Sequence, residues 1–432
     1  MPWIAERAPR LDADRLQHLM AATAAEARRR LCARPRRVLL LPPDITRMHS
    51  GAGRLTEWLY HHFAPEAEVH VIPTLGQHVP HTPEENRRMF GSIPEACIHP
   101  HDWRDGVVHL GEISADFVRD ITHGKADWPI PISLNRMLIE EPWDLIINIG
   151  HVVPHEVLGF ANHNKNYFIG LGGKDLICAS HLAAASCGIE NNLGQLVTPI
   201  RACFNKAEEL FLSHLPDLYV QIVMARDPQS DQLVTTGLYV GDDLETYLLA
   251  AQHSRAQNIT TFAEPVQKIV CVMQADEFRS TWVANKAVYR TRMALADGGE
   301  LLVIAPGLCR FGEQPDVDAL IRKYGYAGTD QVKAWYRTHR DLQDLAHATA
   351  HLMHGSSEGR FTVRYAPGHL SRQEIESVHY AYADLQQTLQ RYRPETLREG
   401  WNRLPDGETF YFIPTPSIGL WSTQQRLQDR LS

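Results

Sequence analysis

Three apolar, β-branched runs constrain this chain more than any other feature of it: RRVLLLPP (36–43), EVHVIPT (68–74) and WDLIINIG (143–150). Each is bounded by turn residues, and helical spacing fills the intervals. Continuous apolar strands alternating with helices predict a mainly parallel sheet covered on both faces, because parallel neighbours need long crossovers and the crossover helices bury the faces. Ligands of such sheets bind beyond the carboxyl ends of the strands. DITRMHSG, LGQHVPHT and HVVPHEVLGFANHNK follow the three runs directly, so Asp44, Arg47, His78 and His155 are expected on one rim.

Farther on, DLYVQIVMA (217–225), the polar turn RDPQSDQ and TGLYVGD read as a hairpin, followed by a helix from about 243 to 254. The alternation then restarts with QKIVCVMQ (267–274), a long helical stretch over 276–296 and GGELLVIAPG (298–307). SRQEIESVHYAYADLQQTLQRY (371–392) reads as a helix and ETFYFIPTP (408–416) as a late strand. With 432 residues the chain exceeds one ordinary core. The expectation is an α/β protein of two domains, 1–262 and 263–432, each with a mainly parallel sheet flanked by helices.

A net charge of -8 argues against a polyanionic partner such as nucleic acid. No apolar stretch reaches the length of a membrane span, and the N-terminal MPWIAERAPRLDADRL has no apolar core run. Seven cysteines, at 32, 97, 178, 187, 203, 271 and 309, contain no C-x-x-C pair and suit a reducing compartment. A cytoplasmic location is expected. The compositional oddity is 23 histidines, the side chain that both shuttles protons and binds metals near neutral pH.

Several motifs are excluded by single residues. GLGGKD is not a phosphate loop, since Phe168 stands where glycine is required and Asp175 where a hydroxyl is required. No G-x-G-x-x-G follows the first strand, which removes the dinucleotide fingerprint. His151 and His155 are four apart, but Pro154 breaks the helix that H-E-x-x-H needs and Val152 replaces its glutamate. What remains is open to two readings. Arg47, after Asp44 and Thr46, is either a turn residue or a pair of parallel donors for a substrate carboxylate, with Asp44 orienting it or a histidine. His78 and His155 are either ordinary loop histidines or a paired acid and base. His81, His99, His101 and His163 default to surface positions. Lys165 suits a covalent tether or an anion partner, and His181 suits nickel, zinc, copper or iron.

Taken in order, D-x-T-R after the first strand, G-x-H after the second, and P-H-x-x-x-G-F followed by a lysine and a histidine resemble the nickel-dependent lactate racemase family. The intervals from His155 to Lys165 and from Lys165 to His181 are those of the family. The resemblance implies an active site in the cleft between two domains. It makes His78 and His155 the catalytic pair and Arg47 the carboxylate anchor, with Asp44 beside it. Lys165 would tether a nickel-pincer nucleotide near Thr46, and His181 would ligate its nickel. In the second domain it implies that Trp282 and Lys286 of STWVANKAVY line the site, with Val283 where the family has glutamine and Asn285 a replacement for the lost contact. Two departures concern the tether. Ala161, Asn162, His163 and Asn164 stand where the family has small residues and paired glycines, and no proline-glycine follows the lysine, so Lys174 rivals Lys165 as anchor and noncovalent binding is an alternative.

The implied reaction inverts C2 of a 2-hydroxy acid by hydride and proton transfer through a 2-keto acid, with cofactor-maturation enzymes as partners. Asn162, His163, Asn164 and Asn166 suggest hydrogen bonds to a polyhydroxylated tail, and thus a sugar acid such as gluconate or mannonate. Lactate or another small 2-hydroxy acid is the alternative. Outside that class stand a zinc or iron hydrolase using the same histidines, and a nonenzymatic metal- or nucleotide-binding protein.

Overall fold

The computed structural model describes residues 2–31, 34–227, 230, 232–417 and 419–427. Cys32 and part of the 226–232 turn lie outside the described residues. The chain divides into two compact units, Met1–Ser180 with Leu196–Gln257, and His181–Gln195 with Asn258–Ser432. Nothing in the sequence pattern marked 181–195 as grouping with the later half.

The first unit is built on a six-stranded sheet whose order is Ile4–Arg7, Leu233–Gly241, Asp217–Arg226, Leu145–His151, Arg37–Leu41, Glu68–Val71. The last four strands run parallel, in the positions that the apolar runs predict. Leu233–Gly241 turns back antiparallel on Asp217–Arg226, and Ile4–Arg7 pairs antiparallel beyond it. Side-chain alternation decides which face each residue covers. Leu145, Ile147 and Ile149 share one face and join the core formed with Leu55, Leu59 and Phe63 of the helix Ala52–Phe63 and with Met20 and Ala24 of Ala13–Leu31. Asn148 and Gly150 point to the other face.

The second unit has its own six-stranded sheet: Ala381–Tyr382, Thr362–Pro367, Leu295–Ala305, Val266–Val272, Thr409–Ile413, Gly400–Arg403. All pairs are parallel except the last. The α/β class with parallel-rich sheets flanked by helices therefore holds in both units.

Two helical expectations fail for local reasons. The 276–296 stretch holds only the short helices Thr281–Ala284 and Lys286–Thr291, and the strand already begins at Leu295. Leu295 pairs with Val266, and the Asp297-Gly298-Gly299 run that reads as a turn is a bulge inside the strand, with Gly298 at φ 77°. The 371–392 stretch is cut into Arg372–Ser377 and Leu385–Tyr392. Between them Ala381 and Tyr382 join the sheet edge beside Arg364 and Tyr365, while Ser371 and Asp384 each cap a separate helix. No described helix is long and apolar enough to cross a membrane.

Candidate active site

Asp44 ends the first strand's turn and begins the 3-10 segment Ile45–Ser50. It is 4 % exposed, a position that disfavours a carboxylate unless partners hold its charge. Burial, the largest influence, pushes its pKa up. Hydrogen bonds from His78 and Thr46 and the nearby charge of Lys165 outweigh it, leaving Asp44 below its ordinary value and ionised. An ionised carboxylate only accepts, so His78 Nδ1 carries the proton it donates to Asp44 Oδ2 at 2.5 Å. In the neutral ring Nε2 then keeps its lone pair, on an imidazole whose side chain is 62 % exposed. That is the form of a proton acceptor. Thr46 Oγ1 donates to Asp44 Oδ1 at 2.6 Å, so its hydroxyl proton is engaged in fixing the carboxylate.

The loop carrying His78 is fastened to the segment carrying Lys165. Gly76 N–H donates to Gly170 O at 2.8 Å, and a Cβ at Gly170 would sit 2.4 Å from that of Thr74. Only glycine permits this approach. Lys165 precedes the π-helical turn Asn166–Gly170 and is half-buried. Its amine has no hydrogen-bond or ion-pair partner among the described residues. Burial, then the positive charge of Arg47, lowers its pKa to about 8, although Asp44 opposes the shift. Lys165, Arg47, Asp44 and His78 thus form one electrostatic group. Arg47 is half-buried, leaves helical geometry at φ -108°, ψ 21°, and its guanidinium is unpaired among the described residues. Lys174, by contrast, is exposed at the first turn of the helix Lys174–Cys187.

His155 lies in the small hairpin of Pro154–His155 with Gly159–Phe160. Val157 N–H donates to its Nδ1 at 3.2 Å, which places the proton of the neutral ring on Nε2. In their neutral forms His78 presents an acceptor and His155 a donor. Glu156, next to it, acts on the charge of Lys165.

The departures before Lys165 prove chemical rather than conformational. Asn162 and His163 adopt φ of 67° and 58°, the left-handed region that glycine ordinarily supplies and asparagine tolerates. Their side chains face inward, which corrects the expectation of a substrate-facing polar set. Asn162 Nδ2 donates to Gln221 Oε1 at 2.6 Å and to Gly150 O at 3.1 Å. Asn166 Nδ2 donates to Asn148 Oδ1 and to Asn162 Oδ1, each at 2.7 Å. Asn164 accepts from Arg201 and donates to Asn205 and Glu208. His163 is 3 % exposed and stacks on Tyr219 with ring centroids 4.1 Å apart. Beneath lies a connected set in which Tyr219 binds both Glu208 and Asp217, and Tyr167 donates to Asp217 at 2.9 Å. Burial, with the charge of Glu208 adding, pushes Asp217 up to about 7.

Three other histidines also depart from the surface default. His81 Nε2 accepts from Ile45 N–H at 2.8 Å and so fixes the turn that carries Asp44. His101 is buried and held by Gly172 O and Asn135. His99 is half-buried against His70 at 2.9 Å. His151, dismissed above as part of a zinc motif, ends the strand Leu145–His151 with neither ring nitrogen hydrogen-bonded.

In the second unit Trp282 packs on His351, 4.4 Å between centroids, and Lys286 Nζ lies 5.9 Å from the ring centre of Phe278. His181 is half-buried on Lys174–Cys187, in the part of that helix that groups with this unit. Asn285 is fully buried; its Oδ1 accepts from Tyr365 and Tyr380, while its Nδ2 has no hydrogen-bond partner among the described residues.

Among the described residues no three His, Cys, Asp or Glu side chains converge on a candidate metal site. For the pincer cofactor that the resemblance implies, the protein would supply one amine and one imidazole rather than a cluster of ligands. The partnerless amine of Lys165, deprotonated in part near pH 8, fits the tether.

A family model described as lactate racemase N-terminal domain matches residues 13–192. No curated protein matches the chain. Among solved structures, a protein from Thermotoga maritima is similar with TM-score 0.79 and 23 % identity, covering 97 % of this chain and 100 % of its own. The lactate racemase apoprotein from Thermoanaerobacterium thermosaccharolyticum is similar with TM-score 0.70 and 14 % identity, covering 97 % of this chain and 94 % of its own. The chain thus shares its fold with the lactate racemase apoprotein along nearly its whole length, and its residues 13–192 match the lactate racemase N-terminal domain model.

Proposed function

We propose that the protein is an isomerase that inverts C2 of a 2-hydroxy acid with the help of a nickel-pincer nucleotide. The observation that carries the reading is the rim group of Asp44, His78, Arg47 and Lys165: a carboxylate-oriented imidazole, an unpaired guanidinium and a partnerless amine in one field. Lys165 would carry the cofactor's covalent link, with Lys174 too exposed to share that field, and His181 would be the nickel ligand. When bound, the cofactor supplies the acceptor and donor of the hydride at C2.

The chain's own residues do the rest. Arg47 binds the substrate carboxylate through parallel N–H donors and fixes which face of C2 is presented. His78, oriented by Asp44, takes the 2-hydroxyl proton on Nε2 as C2 becomes trigonal. His155, in its protonated form, gives its Nε2 proton to the oxygen when C2 is reduced from the opposite side and is left as a neutral imidazole. The reverse direction exchanges the two roles, with one imidazole neutral as the base and the other protonated as the acid. Trp282 and Lys286 retain the substrate-lining roles that the resemblance implies.

The class of substrate stands on firmer ground than its tail. Asn162, Asn164 and Asn166 use their amides inside the protein, so the sugar-acid reading loses the residues that motivated it. Lactate and gluconate are therefore both required in the assay. The test is to co-produce the chain with the cofactor's biosynthetic enzymes, measure nickel and the mass of the Lys165 peptide, and follow C2 inversion of both acids by chiral chromatography. Stoichiometric nickel with inversion is expected. Zinc in place of nickel, no organic adduct and hydrolytic turnover would replace this reading with the hydrolase.

A further inference from the structure

Two histidines of the first unit, His151 and His163, have both ring nitrogens without a hydrogen-bond partner among the described residues, and of the two it is His151 that lies beside the rim group. The strand Leu145–His151 alternates, and Leu145, Ile147 and Ile149 enter the core on the face covered by the helix Ala52–Phe63. His151 continues that face one step beyond the core, where it meets the turn Ile45–Ser50. Its ring lies edge-on to His49, 6.0 Å between centroids, and feels the charge of Arg47. It is 8 % exposed, and neither Nδ1 nor Nε2 has a hydrogen-bond partner among the described residues. A neutral imidazole offers one donor and one acceptor, and leaving both unmet in a buried place carries a penalty that an apolar side chain would avoid.

We propose that His151 is a substrate-binding residue, whose imidazole N–H and the Arg47 guanidinium together grip the carboxylate of the 2-hydroxy acid. The inference rests on the function proposed above and adds to it a second donor on the carboxylate. An oxygen anion is the ligand class because a donor from His151 and an unpaired guanidinium converge on the same turn, and a cation there would meet Arg47. A monocarboxylate fits better than a phosphate dianion. With Lys165 carrying the cofactor link, Arg47 and Asp44 offset one another, which leaves no excess of positive charge for a dianion. His151 faces this group as a neutral ring, since burial and Arg47 hold its pKa well below the ordinary value.

The test uses the full chain, co-produced with the cofactor-making enzymes, and the variants His151→Phe and His151→Gln. Titrations with lactate, gluconate, propionate and inorganic phosphate, followed by calorimetry and by the ring resonances of isotope-labelled histidine, report binding without relying on turnover. His151→Phe is expected to weaken 2-hydroxy acid binding by about tenfold or more while the melting temperature stays level or rises. His151→Gln, which keeps a donor, should stay within about threefold of the parent, and KM should move more than kcat. Unchanged binding by His151→Phe overturns the inference and leaves the proposed function intact. Equal losses in both variants with a lowered melting temperature also overturn it, assigning His151 a structural role. Phosphate binding through His151 without any 2-hydroxy acid binding, or no binding of either by the parent chain, overturns both.

Discussion

Two polar regions of the first unit, adjoining in sequence at Asn164 and Lys165, follow opposite rules. At the rim, Arg47 and Lys165 have unused hydrogen-bonding capacity, and His78 keeps an open ring nitrogen. Beneath it, Asn162, Asn164, Asn166 and Arg201 use theirs on one another and on Gly150, Phe160, Gln221, Glu208 and Tyr247. Buried polar groups persist when they are satisfied or when a ligand satisfies them. The inner set is mainly of the first kind and makes a floor, although Arg201 Nε, Gln221 Nε2 and both ring nitrogens of His163 have no hydrogen-bond partner among the described residues. The rim is of the second kind and is where chemistry is expected.

The largest effect should come from Asp44→Asn at the rim. An amide can donate to His78 Nδ1, which moves the ring proton to Nε2 and removes the base, so turnover of the loaded enzyme should fall about 10²–10⁴-fold. Retained turnover would break the assignment of His78. Arg201→Met tests the floor. It removes donors to Asn164, Phe160 O and Tyr247, and denaturant unfolding should show a loss of about 3–5 kcal/mol. A loss below about 1 kcal/mol would mean that the floor is not a connected network.

Smaller effects sharpen the contrast through pH. Lys165 has a folded pKa of about 8, below the ordinary lysine value of 10.5, so the unfolded chain binds more protons between these values and stability should rise with pH across that window. Lys165→Met should therefore stabilise the cofactor-free chain near pH 7, on the order of 1–2 kcal/mol, with half-maximal acylation of the parent lysine near pH 8 read by peptide mass spectrometry. Asp217 has the opposite sign. Its folded pKa of about 7 lies above the ordinary aspartate value of 3.8, so the stability it contributes is full at low pH and is lost as pH rises through about 7. Asp217→Asn should flatten that slope in a pH series of melting curves. The smallest change is expected from Lys174→Ala, within about 0.5 kcal/mol and with full cofactor loading, as for any exposed position outside a network. Loss of loading there would transfer the tether to Lys174.

The rim was legible because strand ends are. Apolar runs located Arg37–Leu41, Glu68–Val71 and Leu145–His151, and the residues after them met as expected in the pair of Asp44 with His78. The asparagines misled because polarity in sequence does not say which way a side chain faces. Left-handed φ at Asn162 and His163 turns them inward, and no local pattern announces that. His151 was missed for a related reason: its lack of partners is a property of the surroundings, visible only when the neighbouring turn is in place.

From its sequence alone the chain determined its α/β class, its parallel strands and the residues delivered to the carboxyl ends, because apolar periodicity and strand ends are local properties of the chain. Tertiary structure alone decided the rest. Which imidazole nitrogen carries the proton, which amine stays unpaired near pH 8 and which polar side chains are used up inside the fold all depend on groups distant in sequence. Hydrogen bonding and desolvation act through space, so those facts exist only once the strands, turns and helices have been brought together.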